Sequence, residues 1–80
     1  MGEYIFGEHA LHSIRKRGLT IEQVMYVIEH PECTEPGYEG RTLHERELKF
    51  PDGRSHRVFV VVDYHQEVPA VVTVLLDDRS

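Results

Sequence analysis

The spacing of apolar residues changes period once along this chain, and that change constrains the fold more than any other feature. From Ala10 to Ile28 the apolar positions recur at helical spacing. From Val58 to Leu76 they form short, β-branched runs. A chain that is helical first and extended afterwards segregates its elements, which predicts an α+β fold rather than alternating βαβ units. No repeat or low-complexity segment interrupts this order, and 80 residues suit one domain, 1–80. A chain of this size buries only about 60% of its unfolded surface, so it must be compact or share a surface with a partner.

The first helix is expected over residues 8–17. Glu8 places an acid in its first turn, and Ala10, Leu11 and Ile14 form its apolar stripe. Arg15, Lys16 and Arg17 put cations in its last turn, and Gly18 stands where a left-handed cap is wanted. Thr20-Ile21-Glu22-Gln23 then reads as a capping box, with Leu19 and Val24 as its hydrophobic staple. Ile21, Val24, Met25 and Ile28 fall at i, i+3, i+4 and i+7, the core-facing stripe of a second helix. Pro31 ends it by excluding helical geometry at His30. Only Gly18-Leu19 separates the two, which makes a tight helical hairpin or corner.

Tyr4-Ile5-Phe6 is a short apolar entry that can form an edge strand, and residues 35–40 are turn-rich with room for another short strand. Residues 42–50 alternate weakly and carry many charges, as suits a strand with one face in water. Pro51-Asp52-Gly53-Arg54 is a turn, so residues 42–50 and 55–64 are expected to pair as an antiparallel hairpin. Residues 58–62 and 70–76 are apolar on both faces and should lie in the middle of the sheet. The expected architecture is two N-terminal helices on one face of a twisted antiparallel sheet of about four strands.

Composition narrows the function. Nine Lys and Arg against fourteen Asp and Glu leave a net charge of −5, the wrong sign for holding nucleic acid by bulk charge. Any such role must rest on a local basic patch. Cys33 is the one cysteine, which excludes an internal disulfide framework and a multi-cysteine zinc site and points to a reducing, cytoplasmic setting. No apolar run approaches about 18 residues, and Met1-Gly2-Glu3-Tyr4 begins with an acid rather than a basic leader region. Neither a membrane-spanning nor a secreted chain is expected.

Helix geometry puts His9, Ser13 and Arg17 in one row bordering the apolar stripe, where it can line a cleft against the sheet. In the first turn of a helix the macrodipole favours a neutral, proton-accepting imidazole, which suits His9 to general-base work. The alternative is a surface histidine that merely completes the helix start. His9 and His12 have a spacing that can share a metal, yet no further ligands recur at a motif spacing, so no metal is expected. Arg57 begins the central strand, and Thr73 interrupts an apolar one, either as a site residue or as a β-branched filler. Arg41, His44 and Arg46 sit on the outer strand of the hairpin, where charges also discourage edge pairing. Arg41 and His44 are the candidate substrate-binding residues. No serine or cysteine has the surroundings of a nucleophile, and no glycine-rich phosphate loop is present.

The order His9-Ala10, Arg17-Gly18-Leu19, the capped helix from Thr20 to Val24 and His30-Pro31-Glu32 resembles a bacterial and archaeal family, domain of unknown function four-two-five-eight. Gly40-Arg41, Arg57-Val58-Phe59-Val60-Val61 and Val72-Thr73-Val74 continue the likeness over nearly the whole chain. That family looks related to the RelE and BrnT ribonuclease toxins. The resemblance therefore implies a RelE-like fold and a metal-free, cofactor-free endoribonuclease of a toxin–antitoxin pair, with RNA as substrate and an antitoxin as partner. Carried over residue by residue, it implies a catalytic site of His9, Arg17, Arg57 and Thr73. His9 would act as acid or base, the two arginines as a phosphate clamp, and Thr73 would orient a phosphate or the histidine. The family's usual Arg four residues after its histidine is Ser13 here, and the next position, often Met, is Ile14. The missing cation and the acidic balance support a rival reading: a non-catalytic protein-binding module, or a homodimeric domain, on the same fold.

Overall fold

The chain runs β1 (Ile5–Phe6), α1 (Glu8–Lys16), α2 (Ile21–Glu29), β2 (Cys33–Pro36), β3 (Arg41–Lys49), β4 (Ser55–Asp63) and β5 (Ala70–Asp77) in the computed structural model, which describes residues 3–77. Met1 and Gly2, which the expectation about a leader region used, and residues 78–80, which the expected 1–80 domain included, lie outside the described residues.

Both helices end and begin where their local chemistry requires. Gly18, at φ +70°, supplies the left-handed residue after α1. Its N–H donates to the Arg15 carbonyl and that of Leu19 to the Ile14 carbonyl, the paired bonds of a Schellman motif. At α2 the capping box is complete: Thr20 Oγ1 accepts from Gln23 N at 3.1 Å, and Gln23 Oε1 accepts from Thr20 N at 2.9 Å. Such a cap contributes about 1 kcal/mol. The buried face of α2 is Val24, Val27 and Ile28, while Ile21 is exposed. The stripe expected from spacing is thus corrected at one end. Ile21 is the first residue of the helix and is left 41% exposed, and Val27 takes the core position.

The sheet is five-stranded and mixed, in the order β1-β5-β4-β3-β2. It is therefore neither four-stranded nor wholly antiparallel. β1 pairs parallel to β5, Ile5 with Ala70 and Phe6 with Val71, and every other neighbour is antiparallel. β3 is not the outer strand either, because β2 covers it from Cys33↔Glu45 to Pro36↔Thr42.

One face of the sheet carries the helices. Val58, Val60 and Val62 of β4 and Val71 and Val74 of β5 pack there with Ala10, Ile14, Leu19, Val24, Val27 and Ile28 in one core. Val71 and Val74 are three apart, which strict alternation forbids. A β-bulge resolves this: Val61 pairs with Thr73 and Val62 with Val71, so Val72 is the extra residue. After it, Thr73, Leu75 and Asp77 share the helix-free face with Val61, Phe59 and Arg57.

Both edges of the sheet are blunted. α1 lies against β5, and Arg17 Nε donates to the Val74 carbonyl at 3.1 Å, past the end of the two-residue β1. At the other edge, the Gly37 N–H bond to the Arg41 carbonyl sets the hairpin phase, which turns Pro36 outward. Proline has no N–H to offer an incoming strand. No helix among the described residues is long and apolar enough to cross a membrane.

Candidate functional site

The four residues assigned a catalytic role by resemblance are held by different elements. His9 is exposed in the first turn of α1. Arg17, half-buried, caps the other end of α1, about 12 Å away at 1.5 Å of rise per residue. Thr73 stands on the helix-free face opposite Val61, next in sequence to the Val74 carbonyl that Arg17 holds. Arg57 shares that face but lies four residues along β4 from Val61, about 13 Å at the rise of a strand. Arg17 thus reaches the backbone of β5 one residue from Thr73, whose side chain lies on the helix-free face. Arg57 is at the far end of its strand, and His9 is two turns back along the helix.

Arg57 is engaged by carboxylates. Its guanidinium lies 3.3 Å from Glu32 Oε1 and 3.5 Å from Glu45 Oε1, and its cross-strand partners are Glu47 and Asp77. Glu32 has a second task. Its Oε1 accepts from the Glu47 N–H at 3.0 Å, extending the β3 edge pairing beyond the start of β2. That N–H bond chiefly holds the Glu32 carboxyl below its ordinary value, opposed by desolvation, with the charges of Arg57 and Arg46 adding to the lowering. A carboxyl lowered in the folded state stabilises the fold above its unfolded value and loses that contribution as pH falls through the folded one. Wild type is therefore expected to lose thermal stability below pH 4.5, the ordinary value, more steeply than Glu32→Gln. Melting curves of both proteins across the acid range check this; parallel curves would show that the carboxylate contributes nothing.

The candidate substrate-binding pair is also divided. Arg41 is exposed at the start of β3. His44 is 5% exposed and faces the core side of the sheet. Its Nδ1 lies 3.3 Å from the Val60 carbonyl, which can only accept, so that nitrogen carries the proton. Nε2 then accepts from the Tyr64 hydroxyl at 3.0 Å. Burial, and secondarily Tyr4, raises the Tyr64 phenol, which keeps it a donor. Tyr64 carries no signal in the sequence as a partner for His44, because it lies just past the end of a strand read only for its apolar run.

Arg46 is likewise on the core side. Its Nη1 donates to the His30 carbonyl at 2.7 Å and its guanidinium stacks over Tyr26, 5.0 Å from the ring centre. It supplies the cation that the last turn of α2 lacks. Ser13, where the resemblance implied an arginine, is 8% exposed beside Ala10 and Ile14. Cys33 is a free, exposed thiol on β2. Among the described residues no three His, Cys, Asp or Glu side chains gather where they could hold a metal ion.

The helix-free face completes the picture. Leu43, Phe59, Val61, Thr73 and Leu75 are mutual neighbours across β3, β4 and β5, and Leu75 is 44% exposed. Among the described residues, carboxylates of Glu35, Glu45, Glu47, Asp63 and Asp77 border this apolar centre, against the cations of Arg41 and Arg57.

A family model described as Domain of unknown function (DUF4258) matches residues 6–75, from β1 well into β5. The chain belongs to the DUF4258 family. No curated protein and no solved structure matches it. The DUF4258 match spans both helices and contains His9, Arg17, Arg57 and Thr73.

Proposed function

We propose that this DUF4258 domain is a non-catalytic protein-binding module. The observation that carries the reading is the commitment of both clamp arginines to internal partners, Arg17 to the Val74 carbonyl and Arg57 to Glu32 and Glu45. A phosphate approaching Arg57 would have to displace two carboxylates and sit beside Glu47 and Asp77. The net charge of −5 adds to that repulsion. A protein partner faces no such penalty.

The second reading is the endoribonuclease toxin on a RelE-like fold, with RNA as substrate and an antitoxin as partner. It is favoured by one observation, the reach of Arg17 to the Val74 carbonyl, one residue along β5 from Thr73.

Inducing wild type, His9→Ala and His9→Ala/Arg57→Ala in growing cells separates the two. The module reading expects unchanged growth and intact total RNA in all three. RNA cleavage by wild type that the exposed His9→Ala change abolishes overturns it in favour of the ribonuclease.

A further inference from the structure

We infer that the helix-free face of the sheet is the docking surface, and that its occupant is a basic, amphipathic segment of a partner protein. This rests on the protein-binding reading above and adds where the partner sits and what it is made of.

The location follows from what the fold has already closed. Strand addition is blocked at one edge by α1 and Arg17 and at the other by the outward Pro36. The second face of the sheet is buried under the helices. The part of the sheet that remains open is the face centred on Phe59 and Val61. An antiparallel sheet that only meets water normally alternates apolar inward and polar outward. Here the outward residues at the centre of β4 are Phe59 and Val61, with Leu75 and Leu43 on the strands either side. An apolar centre with a polar rim is the anatomy of a protein interface.

The partner's chemistry follows from the rim. Among the described residues, carboxylates outnumber cations around the apolar centre, and Arg57, one of the two cations, is already paired. An acidic segment or a nucleic acid would meet like charge. A segment with apolar side chains on one side and Lys or Arg on its flanks satisfies both centre and rim. A second copy of this chain would bring the same acidic rim against itself.

The test titrates the full 80-residue chain, observed by its backbone amide NMR spectrum, with two synthetic peptides: one alternating Lys and Leu, the other Glu and Leu. The Lys/Leu peptide is expected to shift the amides of Phe59, Val61, Thr73 and Leu75, with affinity falling as salt rises. Leu75→Asp and Glu35→Lys/Glu47→Lys, changed at exposed positions and checked as folded in the same spectra, are each expected to weaken that binding about tenfold or more. Equal binding of the Glu/Leu peptide, shifts confined to the helices, or no binding of the Lys/Leu peptide overturns the assignment. So does concentration-dependent broadening of the same amides without peptide, which would make a second copy the occupant. These outcomes overturn the surface alone, whereas RNA cleavage in the induction experiment overturns the module reading itself.

Discussion

Val60→Asp unfolds this domain, whereas Val61→Asp, one residue on, leaves it folded. A chain of this length has a total stability of roughly 4–12 kcal/mol. Val60 is fully buried between the sheet and the helices. Replacing it forfeits about 1.5–3 kcal/mol of apolar burial and places a carboxyl where no partner waits, which costs several kcal/mol more. The total is on the order of the whole stability. Val61 points to the helix-free face and is only half-buried, so its replacement costs about 1 kcal/mol through lost cross-strand packing with Leu43 and Thr73. Urea denaturation followed by circular dichroism checks the pair. Equal loss of structure in both variants would mean that the second face is as closed as the first.

Tyr64→Phe is expected to cost about 1–3 kcal/mol, although it removes a single oxygen from a residue that is itself partly exposed. The cost arises at His44. With Nδ1–H committed to the Val60 carbonyl, the lone pair of Nε2 is left in a buried site with no donor. His44→Leu/Tyr64→Phe removes both sides of the contact and should recover part of the loss, giving a coupling energy of about 0.5–3 kcal/mol in a double-mutant cycle. Additive single losses in thermal or urea unfolding would show that the hydroxyl and the imidazole act independently.

What could be read from the sequence was what is local. The capping box at Thr20, the left-handed Gly18 and the stop at Pro31 are each settled within a few residues, and all appear where their chemistry puts them. The hairpin turn around Asp52-Gly53 and both long strands beside it belong to the same class. β1 was harder because two residues carry no period, and its parallel partner lies far along the chain. The bulge at Val72 was hidden by its own surroundings: where both faces of a strand are apolar, a slip in alternation leaves no trace. β3 obscured its faces differently. His44 and Arg46 point to the core side and Glu45 and Glu47 away from it, so polarity alone could not tell the two faces apart. For the site, residue types were visible and their separation was not. Nothing in the spacing of His9, Arg17, Arg57 and Thr73 reveals that Arg17 is tied to the β5 backbone beside Thr73 while Arg57 is claimed by Glu32 and Glu45.

The pairing of the first strand with the last also sets the order in which this chain can mature on the ribosome. Val24, Val27 and Ile28 emerge long before the Val58–Val62 run that covers them, and Ile5 and Phe6 wait for Ala70 and Val71. A nascent chain therefore carries the apolar sides of α1 and α2 bare until the Val58–Val62 run has been made, and helices of nine residues are marginal on their own. At translation speeds of about 5–20 residues per second that interval lasts seconds, which is long for exposed valine and isoleucine and is the period in which a chaperone has something to hold.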